Sequence, residues 1–254
     1  MLFDNLAKLG FSAELLLNHN GPITRKYMTF LAGQHLPAPL LSSDDFPAAL
    51  KAYDGASIAR DLDMLQAWWS HRIKEQQPAV SLFYNTITLH DGNRIVTPGG
   101  NTRRATFQER AKTFFEDLDH FIDLMQQSGR RVVLVLVPEH GAAVHGDRMQ
   151  ISGMREIPSR SITHVPVGIK LINMGESDQQ GPLHVTTPAS YLALSELIAR
   201  LYGQQGGPLD LPALIHELPT TAAVSENSDS SVVEFQGRPY VRLKGQTQWM
   251  LYPE

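Results

Sequence analysis

Three short segments place a histidine beside residues that bind metals or phosphate, and each segment is followed by a glycine. They are centred on His19 in LNHNG, on His90 in LHDGN, and on the adjacent Glu139 and His140 in PEHG. Neutral imidazole and carboxylate are the usual protein ligands of zinc when no thiolate is present, and this chain has no cysteine. The residue types therefore indicate a metal or phosphate site.

Each of these segments also has an interpretation without chemistry. Glu139 and His140 can form a strand-end turn with a capping carboxylate and a solvated histidine. Asp91 can orient His90, or it can make an Asx turn before the glycine. His19, between two asparagines and before a glycine, is typical of an ordinary turn. The residues alone leave these alternatives open.

A polar loop after PEHG contains Asp147, Arg148 and Arg155. Arginine suits bidentate capture of phosphate oxygens. Without further support, however, a solvated loop arginine is the favoured interpretation. As groups at or near the turns, His19, Asp91 and Arg148 are the predicted substrate-binding residues.

The elements before these turns should bring them together. Strand composition covers 11–17, 79–89 and 132–137, and apolar residues recur near a period of 3.6 over 57–77 and 106–128. Strands alternating with long helices predict right-handed crossovers and a largely parallel sheet. Because ligands bind at the carboxyl ends of such strands, we expect His90, Glu139 and His140 to meet at one rim.

The C-terminal sequence predicts a different kind of sheet. A strand at 165–172 and a helix from Thr187 to about residue 202 precede short strand-like runs separated by turns. We therefore expect an α/β fold over 1–220, with a largely parallel sheet flanked by helices, and a small antiparallel meander over 221–254 packed on it.

Composition excludes several classes of protein. The 254 residues are 42% hydrophobic and 19% charged, as in an ordinary soluble globular protein. A net charge of -4 gives no basic footprint for nucleic acid. The longest clean apolar run, 132–137, is far shorter than the ~20 residues that span a bilayer.

Longer runs in the chain resemble a known family. FYNTITLHDGN, VVLVLVPEHG, GDRMQISGMREIPS, SITHVPVGIK, AAVSENS and YVRLKG, in this order, are similar to the periplasmic domain of the BcsG family of cellulose-operon phosphoethanolamine transferases. The resemblance covers nearly the whole chain. It implies an alkaline-phosphatase-like fold, a zinc ion, and transfer of phosphoethanolamine from a phospholipid to glucose hydroxyls of nascent cellulose. It also implies an inner-membrane anchor and partners in the cellulose synthase complex.

The resemblance assigns roles residue by residue. It implies that Glu139 and His140 are zinc ligands, that His90 lies at the active site, and that Arg155 contacts the phosphoryl group. It further implies a double displacement in which a zinc-activated serine takes the phosphoethanolamine group and passes it to the sugar.

The family's nucleophilic serine and a cysteine zinc ligand are expected upstream of the residues present here. We therefore predict that the isolated chain is inactive and binds zinc weakly or not at all. Two alternatives remain: a non-catalytic binding or scaffolding module of the cellulose synthase complex, and another metal-dependent hydrolase of the same superfamily.

Overall fold

The computed structural model describes residues 2–33, 35–74, 79–142, 145–175, 181–203, 211–221 and 224–253. The chain divides into two compact units, Met1–Arg130 and Arg131–Glu254. The predicted boundary at residue 220 separates a catalytic portion from a meander. It is a different boundary from the one between these two units, and it stays a prediction.

The first unit contains a pair of parallel strands. Its elements are α1 (Leu2–Lys8), β1 (Ser12–Leu17), α2 (Pro22–Gly33), β2 (Ala48–Lys51), β3 (Ser57–Ala59), α3 (Asp61–Lys74), β4 (Val80–Asn85), β5 (Arg94–Val96), β6 (Thr102–Arg104) and α4 (Phe107–Gln127). β1 and β4 run parallel, with Ser12 opposite Val80 and Leu17 opposite Asn85. Leu15 and Leu16 are fully buried, so burial of β1 anchors the register.

The two predicted long helices have different outcomes. Helix 106–128 is confirmed as α4, which begins with a capping box between Thr106 and Glu109. Helix 57–77 begins later than predicted, at Asp61, and residues 75–77 lie outside the described part of the chain. Ser57–Ala59 instead pairs with β2 and buries Ile58 completely, because tertiary pairing overrides the helical period there.

The second unit contains an antiparallel strand pair, helices and a C-terminal sheet. Its elements are β7 (Val132–Leu136), α5 (Arg160–Thr163), β8 (Gly168–Ile172), α6 (Tyr191–Gly203), α7 (Leu211–His216), β9 (Val224–Glu226), β10 (Ser230–Phe235), β11 (Arg238–Leu243) and β12 (Met250–Leu251). Strands β9 to β12 form one antiparallel sheet in the order β12-β11-β10-β9. This confirms the predicted meander.

The prediction of a largely parallel sheet is wrong for the described residues. β7 pairs antiparallel with β8, Val132 lying opposite Ile172 and Leu136 opposite Gly168, and β2, β3, β5 and β6 also pair antiparallel. A parallel connection needs a long crossover, usually a helix. Between β7 and β8 the described residues contain only the four-residue α5, so no crossover helix returns the chain to the same end.

None of the helices in the described ranges combines the length and apolar character that crossing a membrane requires.

Candidate functional site

The PEHG turn directly follows β7 and is fixed by close backbone contact with α5. The amide of Gly141 donates to the carbonyl of Ile162 at 2.7 Å. A β-carbon at Gly141 would lie 2.0 Å from the carbonyl oxygen of Ser161. Only glycine permits this approach, so the glycine after His140 is required by packing as well as by the turn.

A tyrosine from α6 holds the other side of the turn. The Tyr191 hydroxyl donates to the carbonyl of Pro138 at 2.5 Å, and the carbonyl of Glu139 lies 3.4 Å away. Burial raises the pKa of Tyr191, and the negative charge of Glu139 raises it further. Tyr191 therefore bonds the main chain of the turn at Pro138 and lies beside the carbonyl of Glu139.

The structure brings His140 and Arg155 into direct contact. His140 Nδ1 donates to the carbonyl of Gly141 at 2.7 Å, which leaves Nε2 as the acceptor of the ring. Arg155 Nη1 donates to that Nε2. Two residues predicted for one site thus meet, fifteen positions apart in sequence and both exposed to solvent.

The loop that contains Arg155 is a closed turn. The Asp147 carboxylate accepts from the amides of Met149 and Gln150, and the Gln150 side chain bonds both backbone groups of Ile157. Arg148 lies in the same loop, exposed to solvent. Its predicted substrate-binding role stays a prediction.

His90 lies in a second turn, which follows β4 in the first unit. Ile87 anchors this turn, because its amide donates to the Asn18 side chain at 3.2 Å and its carbonyl accepts from Asn93 at 2.5 Å. The amide of His90 donates to the same carbonyl at 3.0 Å. The backbone at His90 is therefore set by two asparagine side chains.

The imidazole of His90 is oriented by a backbone group. Its Nδ1 donates to the carbonyl of Asp91 at 2.8 Å, and its ring stacks on Tyr53 with the centroids 5.4 Å apart. The Asp91 carboxylate is 90% exposed and lies 3.7 Å from the guanidinium of Arg110. Asp91 thus orients His90 through its main chain, and Nε2 is the nitrogen left with a lone pair.

His19 is a buried part of the first unit. Its Nδ1 lies 2.5 Å from the Thr24 hydroxyl, and its Nε2 lies 3.0 Å from the Asn85 side-chain oxygen. Burial lowers the pKa of His19, so the ring stays neutral at neutral pH. Because protein groups engage both ring nitrogens, its predicted substrate contact has no support here and stays a prediction.

Sequence reasoning missed a buried polar network beneath the His90 turn. The Asp61 carboxylate accepts from Tyr84 and Thr88 at 2.5 Å each and from Asn18 at 3.2 Å. Burial raises the pKa of Asp61. The signal was available, because Asn18 directly follows β1 and Thr88 closely follows β4, at the carboxyl ends of the parallel pair.

Glu139 and His140 offer two donors to a metal ion. The Nδ1–H bond of His140 to a carbonyl is the arrangement found in histidines that bind zinc through Nε2, but here that nitrogen accepts from Arg155, so zinc at Nε2 would require the guanidinium to move. Among the described residues, no group of three or more histidine or carboxylate side chains could hold a metal. A four-coordinate zinc site would need two further donors, and zinc binding by this pair stays a prediction. His90 belongs to the other unit, and its meeting with this pair stays a prediction.

Comparison with known proteins shows which protein family the chain belongs to. Residues 1–249 match the family described as the cellulose biosynthesis protein BcsG C-terminal domain. The chain is 40% identical over 256 residues to the cellulose biosynthesis protein BcsG of Escherichia coli strain K12, and 40% identical over 258 residues to that of Salmonella typhimurium strain LT2. Each match covers 100% of this chain and 45% of the relative, so the chain spans less than half the length of these relatives. The chain belongs to the BcsG family of cellulose biosynthesis proteins, as its C-terminal domain.

Proposed function

We propose that this domain carries the metal-binding and phosphoryl-binding part of a phosphoethanolamine transferase that modifies bacterial cellulose. The donor is a phosphatidylethanolamine-type lipid, the acceptor is a glucose hydroxyl of the growing polymer, and the reaction takes place in the periplasm beside the cellulose synthase complex. The family membership supports a role in cellulose biosynthesis. An alkaline-phosphatase-like fold for the whole protein, anchored in the inner membrane, is part of the proposal.

The contact between Arg155 and His140 is the observation that carries the proposal. A guanidinium presents five N–H donors in a fixed plane, and His140 accepts from one of its nitrogens. The remaining donors are exposed and can hold two phosphoryl oxygens at once. Zinc at His140 Nε2 would take the place of this N–H bond, and the guanidinium, next to the metal ligand, would then be available to the non-bridging oxygens of a phosphoryl group.

Zinc, where bound, would be held by Glu139 and His140 together with donors outside the described residues. It would lower the pKa of a hydroxyl nucleophile and neutralise charge on the phosphoryl group. Tyr191 and the backbone of α5 keep the two ligands in place by bonding the main chain of the turn.

The chain's own residues then have distinct roles. Arg155 holds the non-bridging oxygens, and His90, with Nε2 unengaged by its own turn, holds or delivers a proton at the leaving or entering oxygen. Arg148 and Asp91, both exposed, are proposed to contact the phosphoethanolamine group as cation and anion respectively. His19, enclosed among protein partners, would act only by supporting the strand ends.

The experiment joins this chain to the preceding half of the Escherichia coli relative. Transfer of phosphoethanolamine from phosphatidylethanolamine to cello-oligosaccharides is measured by mass spectrometry. We expect transfer by the fusion protein, loss of transfer on Glu139→Ala or Arg155→Ala, and near-full transfer by the matched control Lys244→Ala. The 254-residue chain alone should give no product. Product from the chain alone, abolished by Glu139→Ala, would show that the nucleophile lies within these residues.

A further inference from the structure

We propose that the C-terminal meander, strands β9 to β12, holds Arg155 in position. The residues of the meander that position Arg155 are Asn227, Ser230 and Ser225. This inference rests on the proposed role of Arg155 in binding the phosphoryl group. It gives the meander a part in the reaction site, where the sequence alone indicated only a small sheet.

The meander bonds the chain immediately after Arg155. The carbonyl of Glu156 accepts from Asn227 Nδ2 at 2.7 Å and from Ser230 Oγ at 2.8 Å, and the carbonyl of Pro158 accepts from Ser225 Oγ at 2.8 Å. Side chains from β9, from β10 and from the turn between them thus converge on residues 156–158. These carbonyls face the meander and have no place in a regular strand or helix.

Apolar packing against the meander and hydrogen bonds to the Gln150 side chain fix the same segment further. Ile157 is 6% exposed and packs with Val232, Val241 and Tyr252 of the meander. Its amide donates to Gln150 Oε1 at 2.7 Å, and its carbonyl accepts from Gln150 Nε2 at 2.9 Å. The segment next to Arg155 is therefore held both by the meander and by its own loop.

The C-terminal end of the meander reaches the start of the loop as well. The Tyr252 hydroxyl donates to the Asp147 carboxylate and lies 3.3 Å from Gln150 Nε2. Burial raises the pKa of Asp147, but the hydrogen bonds from Tyr252 and from the amides of Met149 and Gln150 outweigh it, so the pKa lies below its ordinary value. The carboxylate is thus ionised and able to accept these bonds at neutral pH.

This arrangement matters because Arg155 is exposed and its side chain has many rotamers. Ordering a long side chain from a mobile backbone costs conformational entropy at the moment of binding. With the next three residues fixed, the guanidinium starts from a defined position against His140. The meander thus reduces the entropy lost when Arg155 binds a phosphoryl group.

Asn227 permits a substitution that separates positioning from folding. Its Oδ1 accepts from the amides of Asp229 and Ser230 and shapes the hairpin turn, while its Nδ2 reaches Glu156. Asn227→Asp keeps the acceptor oxygen but replaces the donor to Glu156 with a charged carboxylate oxygen, which cannot donate to that carbonyl. Ser231→Ala is the matched control, because the Ser231 hydroxyl bonds Glu226 within the meander.

The test is a double-mutant cycle on the purified 254-residue chain, with O-phosphoethanolamine binding followed by phosphorus NMR. We expect Asn227→Asp combined with Ser230→Ala to weaken binding about five- to tenfold when Arg155 is present, and less than about twofold in an Arg155→Ala background. Ser231→Ala should leave the affinity unchanged. Equal weakening in both backgrounds, or no weakening in either, overturns the proposal.

A second readout does not depend on ligand binding. NMR of the Arg155 guanidinium and the His140 ring should show that their contact is lost in the Asn227→Asp, Ser230→Ala variant and kept in Ser231→Ala. If the unmodified chain binds no O-phosphoethanolamine, the proposed binding of a phosphoryl group by Arg155 is refuted. The positioning of Arg155 by the meander is then tested by this contact alone. Persistence of the contact in the variant refutes it. Should thermal unfolding show that the double variant is not folded, Ser225→Ala, which removes one bond to Pro158, takes its place.

Discussion

Replacing Gly141 by alanine should both destabilise the second unit and displace the PEHG turn. The added β-carbon would lie 2.0 Å from the Ser161 carbonyl oxygen and 3.4 Å from the α-carbon of Ile162. Reaching an ordinary contact of about 3.4 Å with that oxygen requires a separation of about 1.4 Å. The atoms in the way belong to the main chain of Ser161 and Ile162 and not to a flexible side chain that could move aside.

The size of the effect follows from two contributions. Overpacking of this kind costs about 1–3 kcal/mol. Loss of the 2.7 Å bond from the Gly141 amide to the Ile162 carbonyl adds about 1 kcal/mol. The sum of about 2–4 kcal/mol corresponds to a fall in Tm of roughly 5–15 °C for a unit of this size. The displaced turn should also break the contact of His140 with Arg155.

Thermal unfolding followed by circular dichroism gives the stability, and NMR of the His140 ring gives the contact. Gly168→Ala is the matched control, because a β-carbon there meets only the β-carbon of Leu136 at 3.9 Å. We expect that control to melt within about 2 °C of the unmodified chain. If Gly141→Ala melts together with Gly168→Ala and keeps the contact of His140 with Arg155, close packing against α5 does not hold the turn.

Three further substitutions test other parts of the structure. Tyr191→Phe removes the hydroxyl that bonds the turn; it should cost about 1 kcal/mol in urea unfolding of the chain and weaken zinc binding by the fusion protein in equilibrium dialysis, whereas Tyr240→Phe on β11 should change neither. Because the pKa of Asp147 is lowered in the folded chain, its stabilisation is present above its ordinary pKa and is lost as pH falls through the native value; Asp147→Asn should flatten that part of a Tm profile measured from about pH 5 to about pH 1. Asp61→Ala leaves buried donors without an acceptor and should lower the free energy of unfolding by about 3 kcal/mol or more, a result that an unchanged urea midpoint would contradict.

Local signals in the sequence predicted the helices and strands more reliably than they predicted how the strands pair. Helix α4 was predicted because its apolar period lies within one continuous segment. The run Val132–Leu136 was correctly predicted as a strand, but its pairing was not, since an apolar run fits either direction of the neighbouring strand. The direction depends on how residues 137–167 return, which no local pattern specifies.

The same contrast holds for the site. Strand-end turns pointed to His90, Glu139 and His140, and the family resemblance pointed to Arg155. The contact of Arg155 with His140 was not predictable, because the two residues lie on different turns fifteen positions apart, and the segment after Arg155 bonds distant residues of the meander. Asp61 was missed because, unlike Asn18 and Thr88, it does not follow a strand of the parallel pair, and its burial is not revealed by sequence spacing.

The sequence by itself determined the family, the composition of a globular domain, most helices and strands, and the residue types able to bind zinc and phosphate. Each of these follows from the composition or from short segments that can be interpreted without the rest of the chain. Only the tertiary structure decided that most of the described strands pair antiparallel, that Tyr191 and α5 hold the PEHG turn, and that the meander bonds the segment after Arg155. Those outcomes arise from packing and hydrogen bonds between residues far apart in sequence, and their energies exist only once the chain has folded.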